Sequence, residues 1–166
     1  MKKLNYIFAV LTVCWMAVIF VMSGRDADKS TEDSYKVGML VGRLFVPGFE
    51  EKSEAEQLEF AAKVDHPVRK TAHACEYALL AALFFAAAGM LRNTKMRYIM
   101  AWLLTTVYAG TDEIHQLFVP GRSGQLSDVC LDSAGAVAGV LFCLLVMMLI
   151  KKKGHQGKAK TEDISA

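Results

Sequence analysis

The sequence predicts an all-α integral membrane protein: a four-helix bundle with an extracytoplasmic helical loop between its first and second helices. Three observations carry that expectation. Hydrophobic residues fill 54% of the 166 positions and concentrate in a few long runs, as expected of helices that must satisfy their backbone polar groups within lipid. Basic residues collect in short segments on alternate sides of those runs. The ionisable residues that enter the runs gather at one end of the predicted bundle.

The first run, Leu4 to Met22, has 19 residues and no charge. At about 1.5 Å per residue it can cross a hydrocarbon core of about 30 Å. Lys2 and Lys3 precede it, as they would a signal peptide. The run is long for a signal segment, however, and Val21-Met22-Ser23 is a poor cleavage site, so an uncleaved anchor is expected.

Residues 24–70 follow, with eight basic and ten acidic side chains. Val37, Leu40, Val41, Leu44 and Phe45 recur at helical spacing, with Lys36 and Arg43 between them. That pattern predicts a short amphipathic helix on the outer membrane interface, ended by Pro47-Gly48. Ser53-Glu54-Ala55-Glu56 is a capping box for another helical stretch through Leu58, Phe60, Ala61, Ala62 and Val64. This loop is read either as a lid shielding the bundle or as a gate over a site.

The second span is expected at about 72–91, with Asp65 as its cap and Pro67 in its first turn. The third, about 98–118, is apolar only to Gly110. To be long enough it must continue through Asp112, His115 and Gln116 until Pro120-Gly121 stops it. The fourth, about 128–150, contains Gly135-x-x-x-Gly139, a spacing that suits close helix packing. Residues 1–153 form one membrane domain, and 154–166 are expected to be a flexible cytoplasmic tail.

Lys2-Lys3, the 92–97 connection (Arg92, Lys95, Arg97) and Lys151–Lys153 should be cytoplasmic. The 119–127 loop, with only Arg122, should be outside. Both termini then lie in the cytoplasm. The net charge of +2 and the lack of a basic strip interleaved with aromatics exclude a nucleic-acid partner. Cys14, Cys75, Cys130 and Cys143 form no C-x-x-C pair; Cys14 and Cys143 suit packing, while Cys75 and Cys130 could approach each other near the outer surface.

This topology brings three groups of polar residues to one level. Arg69, Lys70, His73, Glu76 and Tyr77 open the second helix, with His73, Glu76 and Tyr77 on one face. Tyr108, Asp112, His115 and Gln116 share a face near the end of the third, with Glu113 turned aside. Asp128 and Asp132 open the fourth, and Arg122 lies in the intervening turn. Charges inside a membrane normally face a bundle interior or a wet cavity. Such groups can also serve merely to lock helices together, and Asp128 can be simply a cap, but their number at one depth favours a site.

Those same segments resemble the VanZ family. The matching blocks are Arg69-Lys70-x-x-His73-x-x-Glu76-Tyr77, then Asp112-Glu113-x-His115-Gln116-x-Phe118 with Arg122, then Asp128-x-x-x-Asp132-x-x-Gly135. Phe20-Val21-Met22-Ser23 is similar to the family's first-helix ending, although Gly24-Arg25 replaces its usual continuation. The resemblance covers about residues 1–150. It implies a small bacterial protein of the cell envelope, in the cytoplasmic membrane with its site facing outside. The founding member of the family is linked to resistance to the lipoglycopeptide teicoplanin, and the resemblance implies no defined reaction.

The expected ligand is a membrane lipid, a lipid-linked envelope precursor or a lipoglycopeptide antibiotic. His73 with Glu76, and His115 with Asp112, are imidazole–carboxylate pairs suited to acid–base work, with Asp132 beside them. Arg69, Lys70 and Arg122 suit a phosphate or carboxylate, with Tyr77, Gln116 and Asp128 also binding. Two alternatives stand: a non-catalytic binder or antibiotic shield, and a metal-dependent enzyme holding a divalent cation on His73, Glu76, Asp112, His115, Asp128 and Asp132. No protein partner is indicated.

Overall fold

The computed structural model describes residues 2–164, with side chains described as far as Lys152. Five α-helices fill it: α1 (Lys2–Ser23), α2 (Ala27–Phe45), α3 (Glu54–Ala87), α4 (Thr94–Gln116) and α5 (Leu126–Ile164). Short 3-10 turns occupy Phe49–Glu51 and Ala88–Met90, and there is no strand among the described residues. Helix α5 covers most of the 154–166 tail, and Ser165 and Ala166 lie outside the described residues.

Lys2–Ser23, Glu54–Met90 and Leu126–Lys152 are long and apolar enough to cross a membrane. Helix α4 has the length, with 23 residues, but it carries Lys95, Arg97, Asp112 and Glu113 towards its ends. Large apolar side chains such as Val10, Val13, Val21, Leu103, Val107, Leu141 and Phe142 are exposed on the helices' outer faces, a coat that a water-soluble monomer rarely leaves uncovered.

Local signals account for the helix starts. Asp26 caps α2 by accepting from Lys29 N. Ser53 and Glu56 form the expected capping box on α3. Asn93 caps α4, accepting from Lys95 N and Met96 N. The separate start expected for the second span is corrected: α3 runs unbroken from Glu54 to Ala87, so Asp65 and Pro67 lie inside it. Pro67 removes one helical hydrogen bond, but α2 packs along this stretch and supports it. Asp65, not needed as a cap, accepts from the Ser34 hydroxyl of α2.

Helix α2 runs antiparallel to the first half of α3. Ser34, Gly38 and Gly42 form its inner edge: Gly38 lies against Ala61 and Val64, and Gly42 against the Phe49 ring. The apolar stripe exists as read, but Leu40, Leu44 and Phe45 lie off this inner edge and are exposed.

Helix α3 is the hub, contacted by α1, α2, α4 and α5. Trp15 of α1 donates its indole N–H to Glu76 O at 3.0 Å, and Tyr108 of α4 donates to Met16 O at 2.6 Å. Trp102 and Thr106 of α4 both reach the Ser133 hydroxyl on α5. Helices α3 and α5 are parallel and in backbone contact: a Cβ on Gly135 would lie 2.3 Å from Ala74 O, and one on Gly139 2.0 Å from Ala78 O. Apolar clusters lie around this seam, one of Ala81, Phe85, Ala101, Ala136 and Val140, the other of Ile19, Tyr77, Leu80 and Ala109.

The seam makes a direct prediction. Gly139→Ala must push the two backbones apart and should cost about 1–3 kcal/mol, the range for overpacking. Gly110→Ala meets nothing within 4 Å and should be neutral or stabilising, because alanine is the better helix residue. Thermal unfolding of both variants in detergent checks this; equal midpoints would show that the contact is not limiting.

Candidate functional site

The polar groups converge where α1 and α4 end, α5 begins and α3 passes alongside. The connection from α4 to α5 builds one wall. Gly121 takes a left-handed φ of 74°, which turns the chain sharply after Pro120. Arg122 Nε donates to Arg25 O at 2.9 Å, and Ala27 N donates to Pro120 O at 3.4 Å, tying this turn to the α1–α2 joint.

Glu113, expected to be turned aside, lines neither of the cavities at this end, yet it is not exposed. It is buried, with Oε2 accepting from Gln125 N at 2.8 Å and Oε1 from Gln116 Nε2 at 3.4 Å. The turn folds over the end of α4, so the side of the helix facing away from the other spans is covered as well. A Cβ on Gly124 would lie 2.5 Å from Glu113 O, so this close approach requires glycine.

Two cavities of about 150 Å³ each open at this end. The first lies between the end of α1, α2 and α3, with Met22, Val37, Val68 and Ala72 forming apolar wall beside Arg25, Asp33 and Glu76. The second is walled by polar side chains, among them His66, Lys70, Gln116, Gln125 and Asp128. Arg69, His73 and Arg122 line both.

At this junction His73 and Glu76 are each somewhat over a quarter exposed, with Nδ1 and Oε2 3.8 Å apart. That spacing is an ion-pair distance but too long for a hydrogen bond, and His73 Nδ1 has no hydrogen-bond partner among the described residues. Lys70 Nζ donates to Asp128 Oδ1 at 2.6 Å and joins α3 to α5, so Asp128 does more than cap a helix. Arg69 Nε lies 3.6 Å from Asp65 Oδ2. Arg122 is half-buried, and burial, followed by repulsion from Arg69, pushes its guanidinium below the ordinary value. An anion between the two arginines would relieve that repulsion.

The other expected site residues do not open into these cavities. Tyr77, Asp112 and Asp132 are buried and do not line either cavity. Gln116 Nε2 donates to Asp112 Oδ2 at 3.1 Å. The Tyr77 hydroxyl, Asp112 Oδ1 and Asp132 Oδ1 have no partner among the described residues. His115 makes no hydrogen bond with Asp112; its ring stacks on Phe20 of α1, with centroids 4.2 Å apart and an 11° interplanar angle. Among the described residues, no group of three or more His, Cys, Asp or Glu side chains is arranged to hold a metal ion. Cys75 and Cys130 are free.

Sequence reasoning missed Arg25, Asp33 and His66. Arg25 pairs with Asp33 of α2, so the α1–α2 joint contributes charge to the first cavity. The available signal was that Arg25 directly follows an apolar run whose ending resembles a family feature.

A family model described as VanZ/LLP1 matches residues 8–148, which include every residue named at the junction. No match was found among curated proteins or among solved structures.

Glu113 makes the wall testable. Glu113→Ala leaves the Gln125 N–H and the Gln116 amide short of an acceptor, a loss of about 1–3 kcal/mol for a buried unpaired group. Amide exchange over residues 121–127 should rise in this variant while that of α3 stays level. Unchanged exchange there would mean that Glu113 does not hold the turn.

Proposed function

The chain belongs to the VanZ/LLP1 family, and on that premise we propose that it is a multi-pass envelope protein of the bacterial cytoplasmic membrane, binding or acting on an envelope lipid, a lipid-linked precursor or a lipoglycopeptide antibiotic. The observation that carries this reading is that Arg69, His73 and Arg122 line both cavities at the polar end. Among the described residues the ion pairs there engage Arg69 and Lys70 but not Arg122, which leaves a cation to meet an anionic ligand.

In this reading α4 also crosses the membrane, as the third of four spans. Its 23 residues give about 34 Å, enough for a hydrocarbon core, and its charges lie where the helix meets the two surfaces. Both termini are cytoplasmic, and the polar end faces outside. A single cysteine at Asn93 should then react only from the cytoplasmic side of oriented vesicles, and one at Ser123 only from the outside, in an otherwise cysteine-free background. Labelling of both from one side would leave three spans.

Arg69, Lys70 and Arg122 hold the anionic group, with arginine able to bind it through two parallel hydrogen bonds. His73 is the residue placed for proton transfer, with Glu76 orienting it once a ligand draws the pair together. The non-catalytic alternative uses the same cations and needs no titrating imidazole. Complementation of a deletion strain separates the two, read as tolerance of teicoplanin or of membrane-active detergents. Arg122→Ala should fail in both cases. His73→Gln should fail if the site is catalytic and succeed if it only binds, with membrane levels of the protein matched by immunoblot. Full function of Arg122→Ala would remove the anion site from consideration.

A further inference from the structure

The two cavities differ in chemistry and meet at one cationic point. The first has an apolar wall of Met22, Val37, Val68 and Ala72. Met22 lies in the last turn of α1, a helix apolar enough to cross a membrane, and both Met22 and Val37 are exposed at the rim. The mouth is therefore continuous with the surface that hydrocarbon chains would cover. The second cavity presents hydrogen-bonding side chains, including His66, Gln116 and Gln125.

From this arrangement we infer that the ligand is a phosphodiester lipid, with the start of its acyl or prenyl chain in the first cavity, its phosphate between Arg69 and Arg122, and its polar headgroup in the second. This deepens the proposed function and rests on it. Size supports the choice. Each cavity of about 150 Å³ matches one that takes a benzene-sized group; it admits a few methylenes or a glycerol, but not the glycosylated peptide of a lipoglycopeptide. Position supports it too. Arg69 and Arg122 line both cavities, so in a molecule that fills both the anion they hold is internal to it. A fatty acid carries its charge at the end and would leave the second cavity empty. A phosphodiester carries its charge between chain and headgroup.

The test uses the full-length protein in non-ionic detergent, titrated separately with dioleoyl phosphatidylglycerol, glycerol 3-phosphate and oleate. Phosphatidylglycerol should bind at least about tenfold tighter than either fragment, a difference of about 1.4 kcal/mol. Ala72→Phe fills the first cavity from an exposed position and should weaken the lipid about fivefold or more while glycerol 3-phosphate binding stays close to wild type. Val37→Asp, a surface change at the same rim, should act in the same direction if Ala72→Phe folds poorly. Arg122→Gln should weaken both phosphate-bearing ligands. Glycerol 3-phosphate or oleate binding as tightly as the lipid would overturn the inferred orientation and leave the anion site standing. Failure of all three ligands to bind would overturn the site itself.

Discussion

The contact on which the rest depends is the backbone seam between α3 and α5. Gly135 and Gly139 allow α5 to lie directly on the carbonyls of Ala74 and Ala78. Helices with an apolar exterior gain little from burying apolar faces against one another in lipid, so close packing and polar contacts must hold them. Two glycines facing two alanines let the two backbones come into direct contact. They also fix the register. With position 74 opposite 135, Lys70 comes within reach of Asp128, and Asp132 is buried beside the same seam. Ser133, just above the glycines, then receives Trp102 and Thr106 from α4. One register therefore positions the polar end from two sides.

Much of this was legible in the sequence because it follows from spacing. The i, i+3 placement of His73 and Glu76 puts both on one side of α3, whereas Tyr77 at i+4 is buried with Ile19, Leu80 and Ala109. The capping box at Ser53 and Glu56 is local chemistry and formed as read. The misread features depend on what packs against what. An apolar stripe shows that a helix has two faces, but not which face its neighbour takes. On α2 the neighbour took the small residues Ser34, Gly38 and Gly42, whose four-residue spacing marks a second face that competes with the stripe. Asp65 and Pro67 have the composition of a helix start, yet the helix was already running and α2 supported it through them. Glu113 could not be placed without knowing that the following turn folds back over α4. Arg25 and Asp33 belong to separate elements, and their pairing is tertiary.

The polar end balances charges unevenly. Lys70 is satisfied by Asp128, and Arg25 by Asp33. Arg69 has only a long contact to Asp65. Arg122 donates its Nε to a backbone carbonyl and has no carboxylate ion pair among the described residues. Ion pairs that merely lock helices would be expected to match every cation with a carboxylate, since a half-buried charge is costly when unpaired. Here the least satisfied cations are the two that line both cavities, which favours a ligand site over a structural clamp.

The two histidines, equivalent in the sequence pattern, are separated by their surroundings. His115 is held flat against Phe20 and close to Gly24, a setting in which it ties α4 to α1. Its neighbour Asp112 takes its hydrogen bond from Gln116 instead. His73 lines both cavities, and its Nδ1 faces Glu76 at a distance that a small side-chain rotation would turn into a hydrogen bond. Catalytic hydrogen bonds are often long before a ligand arrives, so this spacing fits a pair that closes on binding. Of the two imidazole–carboxylate pairs the spacing offered, the one on α3 is formed and borders the cavities. The one on α4 is not formed: His115 stacks on Phe20, and neither it nor Asp112 borders these cavities.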